Sequence, residues 1–294
     1  MPHDLIVMPC GRATLTFGER TLIMGILNVT PDSFFDGGRY AGADAAARQV
    51  AALVEEGADL IDVGGESTRP AGPYGAGAGP VSEEEETRRV VPVVERIARD
   101  CPAPISVDTT KSGVARRALD AGADLVNDIS ALRLDPGMAP LVAKRGVPVV
   151  LMHMKGTPRT MQQNPTYDDA IGEILAFLRE RIAFAAQSGI SPDRILIDPG
   201  LGFGKRLRDN LEIIARLREF RALSAPLLIG PSRKAFVGVT TSPTPPIPVE
   251  DRLEGTLAAV ALCIANGADA VRVHDVKAAA RACRLTDAVA RGLV

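Results

Sequence analysis

The chain has 294 residues, 46% hydrophobic and 24% charged, which supplies a sizeable core, excludes disorder and fits either one large α/β barrel or two ordinary domains. A formal net charge of −2 with no basic run excludes nucleic acid or a membrane surface held by bulk electrostatics, so an anionic ligand has to be gripped locally. Cys10, Cys101, Cys263 and Cys283 lack C-x-x-C spacing, MPHDLIVMPC lacks a signal-peptide pattern, and His3, His153 and His274 are not spaced as paired ligands; free thiols in a reducing cytoplasm are expected, and a protein-built zinc site is not.

In chain order, LIVM (5–8) and TLTF (14–17) flank a turn-forming stretch and predict a β-hairpin. An apolar strand follows at about 22–29 and empties into TPDSFFDGGRY. The segments EEGADLIDVG, DAGADLVNDI and ANGADAVRVH share one grammar, in which Gly-Ala-Asp stops a helix and opens a β-branched run. Strands are thereby expected at about 59–64, 124–129 and 270–274, and similar runs place others near 104–108, 147–152, 194–198 and 226–230, eight in all. Between them, Ser82 and Glu85 have capping-box spacing ahead of Val90, Val94, Ile97 and Ala98, with Pro92 expected to kink or restart that helix. Ile171, Ile174, Leu175, Leu178 and Ile182 form a second helical face, and Leu253, Leu257, Val260, Ala261 and Ile264 a third. Alternating β and α units permit a doubly wound sheet or a closed (β/α)₈ TIM barrel. The barrel is preferred because the units nearly fill the chain without a composition shift, giving a single domain over 1–294 with the N-terminal β-hairpin closing its bottom.

The loops that follow strands carry the unusual residues: TPDSFFDGGRY, GESTRPAGPYGAGAGP, DTTKS, PGLGFGK and PSRK. Barrel enzymes build their active sites at that end. Arg272 and His274 share one face of the last strand, and barrel closure brings that strand beside the first, which ends in Asn28; a compact anion site is expected there. Asp108, Asn127 and Asp198 stand near the ends of three other strands. Two carboxylates and an amide around one cavity suit a ligand rich in N–H donors, such as an amino-oxo pyrimidine ring, although helix capping competes for Asp108. GLGFGK is not a phosphate loop; it permits close backbone approach and presents Phe203 to a flat ligand. Lys234 in PSRK reads, in isolation, as a solvated lysine.

Together GILNVTPDSFFDGG, DVGGESTRP, SVDT, VNDI, IDPGLGFGK, PSRK and RVHDV, in this order over about residues 20–276, resemble the motif series of the dihydropteroate synthase family of folate biosynthesis. The resemblance implies a Mg²⁺-dependent condensation of 6-hydroxymethyl-7,8-dihydropterin diphosphate with 4-aminobenzoate, giving 7,8-dihydropteroate and diphosphate, in a cytoplasmic homodimer that sulfonamides target. It assigns Asp108, Asn127, Met152, Asp198, Phe203, Lys234 and Arg272 to the pterin. Asn28, Arg272 and His274 fall to the diphosphate, with Asn28 also touching the metal, and Phe34, Thr68, Pro70 and Lys234 to the aminobenzoate. Asn28, Lys234, Arg272 and His274 are the implied catalytic group. Two departures stand out: Phe35 and Ala235 occupy positions where a serine is common. Asp62 and Glu66 are read as fixing the second loop. A corrinoid-dependent pterin methyltransferase and a non-catalytic pterin-binding paralogue are the alternatives; the DSFFDGG and SRK motifs argue against the first, and the assembled site residues against the second.

Overall fold

Strands covered on both faces need apolar side chains almost throughout, and the short Val- and Ile-rich runs of this chain meet that demand. The computed structural model describes residues 5–29, 39–67, 79, 81–242 and 244–292. It opens with an antiparallel hairpin, β1 (Ile6–Cys10) and β2 (Ala13–Phe17). Eight parallel strands follow: β3 (Leu22–Asn28), β4 (Leu60–Gly64), β5 (Ile105–Asp108), β6 (Leu125–Asp128), β7 (Val149–Met152), β8 (Ile195–Asp198), β9 (Leu228–Ile229) and β10 (Ala270–Val273). Their spatial order is β8-β7-β6-β5-β4-β3-β10-β9, and a parallel bridge between Ile197 and Leu227 joins the two ends. Around them lie α1 (Arg39–Glu55), α2 (Glu83–Ile97), α3 (Ser112–Asp120), α4 (Met138–Arg145), α5 (Ala170–Gln187), α6 (Leu207–Ala215), α7 (Ala235–Thr241), α8 (Leu253–Ala265) and α9 (Val276–Arg291). The (β/α)₈ barrel with its N-terminal hairpin is the fold the sequence predicts.

Strand alternation divides each strand between two environments. Ile23, Ile61, Val63, Val107, Val126, Ile195 and Val271 face outward and pack with the helices in the main core. Leu22, Met24, Leu60, Leu125, Val150, Leu196, Leu228 and Ala270 face inward and fill the lower barrel together with Met8, Cys10, Leu15 and Phe17 of the hairpin. Two residues further along the same inward face, Leu60 gives way to Asp62, Leu125 to Asn127, Leu196 to Asp198 and Ala270 to Arg272. The barrel interior is thus apolar where the hairpin plugs it and polar at the C-terminal mouth. Arg12 fastens the plug by donating to the Asp124 carboxylate at 3.1 Å and to the Ala98 and Gly122 carbonyls at 2.8 and 2.7 Å. A Cβ at Gly11, where φ is +54°, would fall 1.8 Å from the Asp124 carboxylate, so the hairpin turn requires glycine.

Three helix-level expectations meet different outcomes. Ser82 caps α2 by accepting the Glu85 N–H at 3.2 Å, but the Glu85 carboxylate turns outward to Arg88 and Arg89, leaving the capping box half made. The same helix runs unbroken through Pro92, contrary to the expected restart. Its buried Val90, Val93, Val94 and Ile97 on both sides of the proline hold it to the barrel and outweigh the lost backbone bond. In α8 the buried face comprises Thr256, Ala259, Val260, Cys263 and Ile264, while Leu253, Leu257 and Ala261 are only partly covered. That helix is apolar nearly all round, so periodicity alone cannot select the face that α9 and the barrel cover. Cys10, Cys263 and Cys283 are buried, Cys101 is half-buried, and all four are free thiols. Among the described residues no helix is long and apolar enough to cross a membrane.

Phe17, 1% exposed, is the largest hairpin side chain in the barrel floor. Phe17→Ala should lower the unfolding free energy by about 3–5 kcal/mol in urea titration. A loss below about 1 kcal/mol would show that the hairpin is not part of the barrel core.

Candidate active site

The polar ends of the strands are level with one another only in part. Asn28 pairs in register with Gly64, Gly64 with Asp108, and Asp108 with Asn127, so these four share one tier at the mouth. Asp62 pairs with Ser106 and lies one inward position deeper. Arg272 pairs with Met24 and also starts from below the rim, but its long side chain reaches upward. Its Nε donates to Asp62 Oδ2 at 2.6 Å and its Nη2 to Asp108 Oδ2 at 2.8 Å, while Asn127 Nδ2 donates to the same Asp62 oxygen at 3.0 Å. Four side chains from β4, β5, β6 and β10 thereby form one network. Burial pushes the Asp108 carboxyl up to about 7 against the pull of Arg272, with Asp62 adding to the rise. Burial opposes the Arg272 charge, but the two aspartates outweigh it and hold the guanidinium above its usual range.

On the far side of the mouth, Asp198 Oδ1 accepts the Gly200 N–H at 2.6 Å. Gly200 has φ of +71°, and a Cβ there would fall 2.1 Å from the His153 carbonyl, which is the close approach that requires glycine in this loop. Phe203 packs on a cluster of Ile129, Met152, Met154 and Met161, with the Lys234 ammonium 4.7 Å from its ring centroid. Lys234 also donates to the Leu201 carbonyl. Burial lowers Lys234 to about 8 and raises Asp198, each being opposed by the other's charge. Beneath the loop, buried Lys205 contacts the Phe203 carbonyl at 3.0 Å, the His153 carbonyl at 3.3 Å and His153 Nδ1 at 2.9 Å. Burial and the neighbouring Lys205 drive His153 down to about 2, so its imidazole is neutral. The Lys205 head group therefore ties the loop that carries Phe203 to the end of β7.

The two remaining loops are zipped together. Ser232 Oγ lies 2.9 Å from His274 Nδ1 and accepts the His274 N–H at 3.2 Å. Arg233 grips Asp275 with both Nε, at 2.8 Å, and Nη2, at 2.6 Å, a bidentate pair that fixes the turn presenting Lys234. His274 keeps one side open to solvent; the protein packed around the rest of it, then the charges of Arg272 and Arg233, depress it to about 4. At neutral pH it is an uncharged imidazole with one N–H to offer.

Of the residues singled out in the sequence, Asp108, Asn127, Met152, Asp198, Phe203, Lys234, Arg272 and His274 all come to the mouth of the barrel. Lys234 is not a solvated lysine, and Asp108 is not a helix cap, since Asp135 rather than Asp108 accepts the first N–H of α3. Asn28 is exposed at the rim, but the register sets Val273 beside Gly25, so Arg272 and His274 enter below Asn28 instead of directly alongside it. Ala235 is the exposed first residue of α7. Phe34, Phe35, Thr68 and Pro70 lie outside the described residues. Glu66 fixes its loop as expected, by accepting the Val81 N–H at 3.3 Å and pairing with Lys111. Asp62 does not; it turns into the barrel and binds two members of the site. A carboxylate inside the otherwise apolar run LIDVG was the signal that could have revealed it, because such a group must find a partner. No group of three or more His, Cys, Asp or Glu side chains among the described residues is arranged to hold a metal ion.

The raised Asp108 carboxyl has a pH signature, set by burial and by Arg272, Asp62, Glu86 and Asp128. Its extra proton affinity stabilises the folded state fully below the unfolded value near 4, and that stability is lost as pH rises through about 7. The unfolding free energy of Asp108→Asn relative to the unsubstituted chain should therefore increase between about pH 4.5 and pH 8 in urea titrations. A difference independent of pH would show Asp108 ionised throughout.

The family model described as pterin binding enzyme matches residues 24–274. The chain is 43% identical over 285 residues to dihydropteroate synthase of Synechocystis sp., covering 97% of this chain and 95% of that protein. A solved structure of Xanthomonas albilineans dihydropteroate synthase with 4-aminobenzoic acid superposes with a TM-score of 0.88 at 45% identity, covering 99% of this chain and 100% of the other. The structure of the Xanthomonas albilineans enzyme in complex with 7,8-dihydropteroate gives 0.85 at 44% identity, covering 98% and 99%. With this match running through the strands, the loops and the network at the mouth, the chain belongs to the dihydropteroate synthase family of pterin binding enzymes.

Proposed function

We propose that the barrel mouth joins 6-hydroxymethyl-7,8-dihydropterin diphosphate to 4-aminobenzoate, forming 7,8-dihydropteroate and releasing diphosphate. Dihydropteroate formation is the activity of the family. The observation that carries the residue-level reading is the set of acceptors Asp108, Asn127 and Asp198 on the inner wall beside the cations Arg272 and Lys234. Carboxylates and an amide grip the N–H groups of the pterin, Met152 and Phe203 cover its faces, and Lys234 meets its acceptor edge. Arg272 and the neutral His274 donate to the diphosphate, drawing charge from the leaving group as it departs.

Asn28 suits the implied Mg²⁺: it presents an exposed amide, whose hard oxygen is the kind of donor this ion takes alongside phosphate oxygens and water, with no all-protein cage required. When bound there, the ion supplies further neutralisation of the diphosphate. The C–O bond breaks with its electron pair leaving on diphosphate, the methylene carbon shares its positive charge with the pterin, and the aniline nitrogen donates its lone pair to form the C–N bond before losing a proton. Nothing in this path needs an enzyme nucleophile. Phe34, Thr68, Pro70 and Lys234 receive the aminobenzoate, whose carboxylate also meets the backbone N–H groups at the start of α7, and a sulfonamide takes the same place. The Xanthomonas albilineans structures with 4-aminobenzoic acid and with 7,8-dihydropteroate support this arrangement by similarity. The free thiols suit a reducing cytoplasm.

A homodimer is part of this proposal. Leu262 on α8 and Leu285 and Val289 on α9 are 56%, 70% and 79% exposed on adjacent helices and are the apolar groups that a partner subunit would cover. Sedimentation should give a dimer, and a variant carrying Leu285→Glu and Val289→Glu should sediment as a monomer. A monomeric unsubstituted chain would remove the dimer from the account.

An assay for diphosphate release should show turnover that depends on 4-aminobenzoate; release without it, or none with it, overturns the reading. His274→Ala should weaken the diphosphate-bearing pterin and free diphosphate by about tenfold or more, and bare 6-hydroxymethylpterin much less. Equal losses for all three ligands would contradict the assignment.

A further inference from the structure

Asp62 carries none of the ligand contacts assigned above, yet it is fully buried and one of its oxygens, Oδ2, accepts both Arg272 Nε–H at 2.6 Å and Asn127 Nδ2–H at 3.0 Å. It stands one inward position below Asp108, and the guanidinium spans the two carboxylates. A ligand entering from the mouth meets Asp108 first, while Arg272 lies between it and Asp62. Both partners meet Asp62 as donors to the same oxygen, so Asn127 turns its NH₂ towards β4, leaving its carbonyl oxygen and second amide hydrogen for the cavity. The other Asp62 oxygen, Oδ1, is buried and has no hydrogen-bond partner among the described residues. A buried carboxylate paired with a cation stabilises a fold little beyond what a well-packed apolar side chain would, so folding stability alone does not account for an acid at this position.

We propose that Asp62 is the positioning residue of this site: it holds Arg272 and Asn127 from below, so that Asp108 can exchange its Arg272 contact for a ligand N–H without either group moving. This rests on the reading that Asp108 and Asn127 bind the pterin ring. Exchange at Asp108 costs little reorganisation because Arg272 keeps its deeper acceptor throughout. Arg272 and Asn127 then stay preorganised, which preserves affinity that would otherwise go into ordering them.

The test is calorimetric titration of 6-hydroxymethylpterin into three forms of the full chain. Asp62→Leu, which removes both acceptor contacts, should bind at least about tenfold more weakly, whereas Asp62→Asn, whose carbonyl oxygen can still accept from both partners, should stay within about threefold. Unchanged binding by Asp62→Leu, or an equal loss in Asp62→Asn, overturns the proposal. Asp108→Ala separates the two ideas: if it binds the ring normally, the ring assignment itself fails, and if it loses binding while Asp62→Leu does not, only the positioning role falls. The unsubstituted protein supplies a second readout should Asp62→Leu fail to fold. In arginine-¹⁵N-labelled protein, the Arg272 Nε–H resonance, identified by its absence from Arg272→Lys, should remain protected from exchange with water when the pterin binds. Loss of that protection on binding would overturn the role.

Discussion

The guanidinium of Arg272 ties the last barrel strand to two carboxylates on β4 and β5, Asp62 and Asp108. The buried cation requires such partners, because an unpaired charge in this setting would cost several kcal/mol. The pairing makes the mouth different from an open cationic pocket. Arg272 and Asp108 are therefore coupled, and a change in the charge or partners of either alters the electrostatics around the other.

Side chains outside the cavity determine how well those inside it are aimed. Lys205 holds the loop that carries Phe203, Arg233 holds the turn that carries Lys234, and Ser232 orients His274. Each tether spans two barrel loops, so the face of the pocket is set by contacts between neighbouring loops and less by any one of them. Lys205 and His153 show how far this goes: two ionisable groups are placed in a buried contact, with burial working against the charge of both, to anchor a backbone turn. The hairpin does the complementary task from the other end. By filling the lower barrel with Met8, Leu15 and Phe17, it closes the apolar half of the interior and leaves the polar half at the mouth.

Much of this architecture can be read directly along the chain. Short apolar, β-branched runs, three of them opened by a glycine stop, locate all eight strands to within two residues, and the period of two puts Arg272 and His274 on one face with Asp108, Asn127 and Asp198 on the matching faces of theirs. The motif series names the family before any coordinate is known. Local chemistry is sufficient for these features because each depends on residues close together in sequence.

Depth in the barrel is a different kind of quantity. Parity along a strand says which face a side chain takes, but the tier it occupies depends on the stagger between neighbouring strands, and that stagger is fixed only when the sheet closes. Hence Arg272 lies level with Met24 and not with Asn28, and Asp62 lies beneath Asp108 as its companion acceptor instead of in the loop above. The same holds for α8, whose apolar circumference leaves its buried face to its neighbours, and for Pro92, which the packing of α2 overrides. The sequence by itself determined the strands, the faces and the chemical kinds of group at the mouth; the tertiary structure decided which of those groups meet, because meeting depends on a register that no single strand encodes.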